Sequence, residues 1–332
     1  MVAAETRPSS GRAGAVVDAF LRWREASIIV VAVILVGYFQ TTNGNFLSGA
    51  NLETLAQFVA APAIIACGEI MLLICGEIDL SAGQVFALAP FIMHFGTNAG
   101  IPIVISILLS LVGCALIGAA SGLVTVKLRV PSFVTTLGTM YLINGFTLTI
   151  SHGTPVETTG ASELFSLAMG GSGYSEIGWA LAIVLTMHFV LRQTRWGLHT
   201  IAVGGNLTGS GEAGIDVTGI KIAAFILTSV LSGFTGILEA FRITSTDPLA
   251  GGSTMMFLAV ASGVIGGTSL AGGSGTIIGG LIGAMVLGVL RDGFTLNGIN
   301  AFTFDMIIGG AILVAMVSNI HMQRLRRTGQ RR

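Results

Sequence analysis

Residues 101–126 read IPIVISILLSLVGCALIGAASGLVTV and contain no charged side chain, and Lys127 and Arg129 follow directly. A helix needs about 20 apolar residues to cross the hydrocarbon core of a bilayer, so this stretch predicts a transmembrane helix that ends at a basic loop. The composition points the same way. Of 332 residues, 52% are hydrophobic and 10% are charged, against about 25% charged residues in an average soluble domain.

The same length criterion divides the chain into ten candidate membrane segments. They cover residues 26–42, 52–75, 81–97, 101–126, 132–151, 177–191, 220–244, 255–270, 275–290 and 302–319. The segment 255–270 is short and rich in glycine, so it is either a full crossing or a broken helix inside the bundle. An even number of crossings leaves both termini on one side of the membrane.

Arginines cluster before the first segment and after the last one. They are Arg7, Arg12, Arg22, Arg24, Arg324, Arg326, Arg327, Arg331 and Arg332. By the positive-inside rule, the tails 1–25 and 320–332 are cytoplasmic and flank a transmembrane domain over 26–319. A long polar loop over 193–219 falls on the same side. The expected fold is an all-α, polytopic bundle of about ten transmembrane helices.

The sequence contains no motif for ATP hydrolysis or covalent chemistry. Its two lysines, Lys127 and Lys221, do not complete the G-x-x-x-x-G-K-[ST] phosphate loop. The three cysteines lie in apolar stretches without the C-x-x-C spacing of metal or redox sites, which favours a packing role. We therefore expect no cofactor on this chain, and an ATP-driven process would need ATP and Mg²⁺ on another polypeptide.

The stretch GEIDLSAG, residues 76–83, joins two apolar segments and carries polar side chains. Ser81 and Gln84 have the spacing of a capping box at a helix start. Asp79, in an irregular junction, also fits the lining of a cavity, because lipid does not tolerate exposed non-helical backbone. Glu69 lies within the preceding apolar segment, where a carboxylate is costly and marks a pathway or a paired site. Glu69, Asp79 and Ser81 are therefore pathway candidates.

Segment 132–151 carries hydroxyl and amide side chains along its length. Thr136 lies on one helical stripe with Asn144 at its edge, and Thr139 lies on another. Such groups would suit a polyhydroxylated solute if they faced a pore, and they would serve equally as hydrogen-bonding contacts between helices. Thr136, Thr139 and Asn144 complete the set of pathway candidates.

Four ordered segments resemble the permeases of ribose and related monosaccharide ABC importers, and the resemblance covers nearly the whole chain. The segments are GEIDLSAG at 76–83, VPSFVTTLGT at 130–139, TRWGLHTIAVGGN at 194–206 and GGTSLAGGSGT at 266–276. The chain departs from the family pattern at Glu77, Glu69 and Leu198, where glycine, an apolar residue and arginine are common. Because Glu69 is off-pattern and intramembrane, we expect Glu69→Gln to alter solute preference and leave ATPase coupling intact.

The resemblance implies a type II-like permease that pairs with a second copy or a paralogue. It implies a double-module ATPase inside, a periplasmic or lipid-anchored solute-binding protein outside, and no nucleic acid. The segment that contacts the ATPase would comprise Gly204, Gly205, Asn206, Glu212, Ala213, Gly214 and Ile215. The expected function is ATP-driven import of a pentose, hexose or polyol by alternating access. The alternatives are an independent secondary transporter or channel, and a membrane-embedded enzyme or scaffold.

Overall fold

The structure is a computed structural model that describes residues 26–158 and 160–300, together with residues 303, 306, 307, 309, 310 and 313. Its α-helices in these ranges are α1 (Ala26–Thr42), α2 (Gly49–Ile74), α3 (Ala82–Asn98), α4 (Ile103–Lys127), α5 (Ser132–Ser151), α6 (Glu163–Ser166), α7 (Ser175–Gln193), α8 (Arg195–Gly205), α9 (Leu207–Glu212), α10 (Val217–Arg242), α11 (Gly252–Ile265) and α12 (Ile277–Leu296). A π-helical turn, Leu167–Gly171, follows α6. Two short strands, β1 (Val156–Glu157) and β2 (Ser245–Thr246), pair antiparallel.

Each predicted membrane segment up to residue 290 has a counterpart helix. The prediction for 132–151 matches α5 at both ends, because Pro131 precedes the helix and His152 ends it in the left-handed conformation. Within the described residues, six helices are long and apolar enough to cross a membrane: α2, α4, α5, α7, α10 and α12. A helical membrane bundle is thus confirmed. The predicted segment 302–319 is largely outside the described residues, and both predicted tails are wholly outside them.

The loops of the bundle gather at two ends. At the first, which we call the coupling end, Lys221 of α10 pairs with Glu77, and the Ile78 N–H donates to Ser132 Oγ at 3.4 Å. At the second, which we call the strand end, β1 pairs with β2 and Asn51 of α2 donates to Asp292 of α12. The loop 193–219 therefore lies at the opposite end from the two strands.

Helix α2 forms the centre of the bundle. In its most apolar stretch 89% of the residues are buried, against 22% in α5. Gly68 of α2 packs directly against Thr228 of α10, and Ile70 contacts Gly280 of α12. The outward face of α5 is apolar and exposed, with Phe133, Val134, Tyr141, Leu142 and Phe146. Such a face suits lipid or a second membrane subunit as its neighbour.

Helix α11 corresponds to the predicted segment 255–270, and it is short. Its 14 residues span about 21 Å, less than the roughly 30 Å of a bilayer core. It begins beside Gly83, the second residue of α3, where a Cβ would overlap the carbonyl oxygen of Gly252. It ends where Gly266 packs against Gly279 at the start of α12. Of the two readings of this segment, the geometry favours the broken helix.

Candidate functional site

The chain turns back into the bundle after α2. Gly76 adopts a left-handed φ of 78°, and the N–H groups of Gly76 and Glu77 donate to Leu73 O and Leu72 O, which closes the helix as a Schellman motif. The Asp79 N–H then lies 3.5 Å from Glu69 Oε2. Glu69 lies five residues before the end of α2, a distance of about 7.5 Å along the axis. The junction between α2 and α3 is therefore re-entrant.

Asp79, rather than Ser81, organises the start of α3. Asp79 Oδ1 accepts hydrogen bonds from Ser81 N at 2.8 Å and from Ser81 Oγ at 2.5 Å. The predicted capping box is wrong, because the Ser81 hydroxyl makes no side-chain bond to the helix start. Ser81 has helical backbone angles, φ −80° and ψ −13°, whereas an N-cap residue is typically extended, and its hydroxyl donates to Asp79 instead of accepting from the helix N–H groups.

The structure brings Glu69, Asp79 and Ser81 together, and it buries all three completely. Glu69 Oε1 and Asp79 Oδ2 have no hydrogen-bond partner among the described residues. Two carboxylates this close in a buried environment repel each other when both are ionised. Their proximity was not visible in the sequence, since it depends on the re-entrant turn.

The three candidates on α5 are placed differently. Thr136 is buried, and its hydroxyl donates to Ser132 O at 2.8 Å. Thr139 Oγ1 donates to Thr135 O at 3.0 Å and lies 3.2 Å from Ser121 Oγ of α4. Asn144 is partly exposed. Only Thr136 lies near the Asp79 junction, through Ser132, which accepts the Ile78 N–H.

The coupling loop, residues 193–219, folds into two short helices at the coupling end. The second of them is α9, and the Asn206 side chain caps it by accepting from Gly209 N at 2.9 Å. The residues implied to contact an ATPase surround this helix, and five of them are exposed: Gly205, Asn206, Glu212, Ala213 and Gly214. Their exposure leaves this side of the loop open to a partner protein.

Gly204 lies on the inner side of the coupling loop, directly on the end of α2. A Cβ at Gly204 would overlap the Ile74 carbonyl oxygen and approach Gly273 N to 2.6 Å. The Gly273 N–H donates to the same carbonyl oxygen at 2.8 Å. The segments 194–206 and 266–276 thus meet on the residues that precede 76–83. With the Ile78–Ser132 hydrogen bond, all four family-like segments converge on one junction.

Two charged clusters were missed at the sequence level. Lys221 Nζ lies 2.5 Å from Glu77 Oε1 at the coupling end. At the strand end, Arg242 of α10 contacts its own helix and two others. It pairs with Glu239, lies 3.5 Å from Glu176 of α7, and donates to Gln57 of α2 at 3.4 Å. In the sequence, the sign that could have pointed to these clusters was that their charged residues stand singly at the ends of apolar segments.

Metal ligation and side-chain catalysis have little support in the described part of the chain. No group of three or more histidine, cysteine or acidic side chains that could hold a metal was found in the described residues. Cys67, Cys75 and Cys114 are buried and free of disulfides. The polar groups form a junction between helices rather than a reaction centre.

Comparison with known proteins shows the family of the chain. Residues 51–317 match the model of the branched-chain amino acid transport system permease component family. The chain belongs to this family. It is therefore a transport permease, and the resemblance found in the four segments is confirmed. No solved structure matches the chain.

Curated relatives match over most of their own length. The chain is 36% identical to the xylose/arabinose import permease protein XylH of Sulfolobus acidocaldarius, over 90% of this chain and 86% of the relative. It is 33% identical to the ribose import permease protein RbsC of Escherichia coli K12, over 88% and 92%. It is 30% identical to the autoinducer 2 import system permease protein LsrC of Photorhabdus luminescens, over 89% of each chain.

Proposed function

We propose that this chain is the membrane-spanning subunit of an ATP-driven, binding-protein-dependent importer for a small sugar or sugar-like solute. The observation that carries the proposal is the 36% identity to a xylose/arabinose import permease across nearly the whole of both chains. A pentose, a hexose or a polyol is the expected cargo, and a second copy or paralogue of the permease completes the pore.

The geometry supports a separate ATPase subunit that binds at the coupling end. The exposed side of the coupling loop, around Asn206 and Glu212, is the surface that we assign to a double-module ATPase, which would bind ATP and Mg²⁺. In this proposal the coupling end and both tails face the cytoplasm of a bacterial cell, and about ten helices cross the inner membrane. A periplasmic or lipid-anchored binding protein would deliver solute at the strand end.

The test is uptake by the assembled importer. The permease is reconstituted in liposomes with its ATPase and its binding protein, and uptake of labelled pentoses, hexoses and polyols is measured with and without internal ATP. Calorimetry of the binding protein with the same panel identifies the solute. We expect uptake only with ATP and all subunits. Uptake by the permease alone, driven by an ion gradient, would instead establish a secondary transporter.

A further inference from the structure

We propose that Glu77 and Lys221 form a clasp that holds the start of α10, directly after the coupling loop, on the end of α2, so that ATP-driven movement of the loop reaches the transmembrane helices. This inference rests on the proposed function. It assigns the pair to the transport cycle as positioning residues, which contact neither the solute nor the nucleotide.

The end of α2 is held by the coupling loop at neighbouring positions. Gly204 packs on the carbonyl oxygen of Ile74. Val203, together with Ile220 of α10, buries the side chain of Cys75 in a small apolar cluster. Lys221 then pairs with Glu77. These contacts form a continuous strip from the backbone of α2 to the first turn of α10.

The three contacts along this strip differ in how strictly they constrain the relative position of the two segments that they join. The Gly204 contact is close packing, and the Cys75 cluster is non-directional apolar contact. The Glu77–Lys221 pair joins two charged atoms at 2.5 Å between side chains that are only 14% and 12% exposed. A charge pair with so little access to water is held to one geometry, since separating it leaves a poorly solvated charge on each side. The pair therefore sets the register of the start of α10, two residues after the coupling loop, against the end of α2.

The position of Glu77 connects the clasp to the polar junction. Glu77 is the last residue of the Schellman turn, and Asp79, two residues later, lies beside Glu69. Any displacement of Lys221 with the coupling loop therefore pulls on the re-entrant turn within two residues of the buried carboxylates. Glycine is common at position 77 in the family pattern, so this clasp is a feature of this chain rather than of the pattern.

The experiment uses the complete importer in liposomes, and it measures solute uptake and ATP hydrolysis in the same preparation. The variants are Glu77→Gln, Lys221→Met, the neutral double variant Glu77→Gly with Lys221→Met, and the charge exchange Glu77→Lys with Lys221→Glu. The control is Lys127→Met, because Lys127 is the other lysine, lies at the same end of the bundle and is exposed.

We expect the neutral double variant to fold, since it leaves no unpaired charge, and to take up about tenfold less solute per ATP hydrolysed. The folded single variants should lose at least as much, the charge exchange should recover most of the ratio, and Lys127→Met should match the unmodified chain. A purely structural role would lower the amount of folded protein and leave the ratio unchanged.

The decisive measurement is the uptake-to-hydrolysis ratio of the neutral double variant. If it folds and keeps the uptake-to-hydrolysis ratio of the unmodified importer, the clasp is not needed for coupling and the proposal is wrong. If it does not fold, a charge exchange that folds without recovering the ratio overturns the proposal, and one that recovers the ratio supports it. Failure of the unmodified importer to couple uptake to ATP would instead count against the proposed function itself.

Discussion

The two ends of the bundle are held together by different kinds of contact. At the coupling end, beside the Glu77–Lys221 pair, backbones pack directly on each other, because Gly204 lies on Ile74 O and the Gly273 N–H donates to the same oxygen. At the strand end the helices are joined by side-chain charge, with Arg242 as the common partner of Glu239 and Glu176. Close packing is sensitive to added volume, whereas a charge cluster is sensitive to loss of one partner. We therefore expect added volume to destabilise the coupling end and loss of a charged partner to destabilise the strand end.

The largest expected effect is at the strand end. Arg242→Met should lower the free energy of unfolding by about 3 kcal/mol, the lower end for a broken buried ion pair, because the Arg242 side chain is 29% exposed. Glu176 is 4% exposed and would remain as a poorly solvated carboxylate beside Glu239. Thermal and denaturant unfolding of the purified permease in detergent measures the change.

Two controls accompany this prediction. Arg192→Met removes an exposed arginine from α7 and should change stability little. Adding Glu176→Gln to Arg242→Met should recover part of the loss, because the remaining buried group is then neutral. A stability for Arg242→Met equal to that of Arg192→Met would show that the strand end is not held by charge.

The next largest effect is at the coupling end, and it comes from added volume, not from the loss of a charged partner. Gly204→Ala adds one methyl group where the Ile74 carbonyl oxygen and Gly273 N leave no space. Because both neighbours are backbone atoms, they cannot rotate away, and we expect a loss of about 2 kcal/mol, within the range for overpacking. The same unfolding measurement applies.

Gly211→Ala is the matched control for that variant. Gly211 lies in α9 of the same loop, and a Cβ there meets no atom within 4 Å. Alanine also favours a helix over glycine by up to about 1 kcal/mol, so stability should hold or rise. If both variants lose the same free energy of unfolding, the loop itself does not tolerate an added side chain. The contact of Gly204 with α2 would then not be the cause of the loss.

The helices could be predicted from the sequence, whereas the contacts that join their ends could not. The bounds of α5 could be predicted because Pro131 and His152 act locally. The role of Ser81 was predicted wrongly, because its backbone is already helical and its hydroxyl donates to Asp79, which the spacing of residues 81 and 84 does not reveal. Lys221 and Glu77 are 144 residues apart, and no local pattern relates them. The family-like segments indicated which residues matter, while their convergence on Ile74 depends on the packing of α2 at the centre.

The smallest expected change lies between the two ends, at Glu69. Glu69→Gln should alter the free energy of unfolding by less than about 1 kcal/mol, because the amide keeps the shape of the side chain and can still accept from the Asp79 N–H. It also removes the repulsion between two buried carboxylates. Asp79→Asn is the comparison, and it should cost more, since an amide oxygen would accept the two short hydrogen bonds from Ser81 more weakly than the carboxylate does, whereas Glu69 accepts only one bond, at 3.5 Å.

The same variant separates a structural role of Glu69 from a role in transport. We expect uptake by the Glu69→Gln importer to remain coupled to ATP hydrolysis while its preference among pentoses, hexoses and polyols shifts. Such a shift would act through the re-entrant turn, because the Asp79 N–H joins Glu69 to the residues between α2 and α3. An unchanged preference across the panel would contradict the pathway role. A loss of stability as large as that of Gly204→Ala would show instead that the junction requires the carboxylate of Glu69.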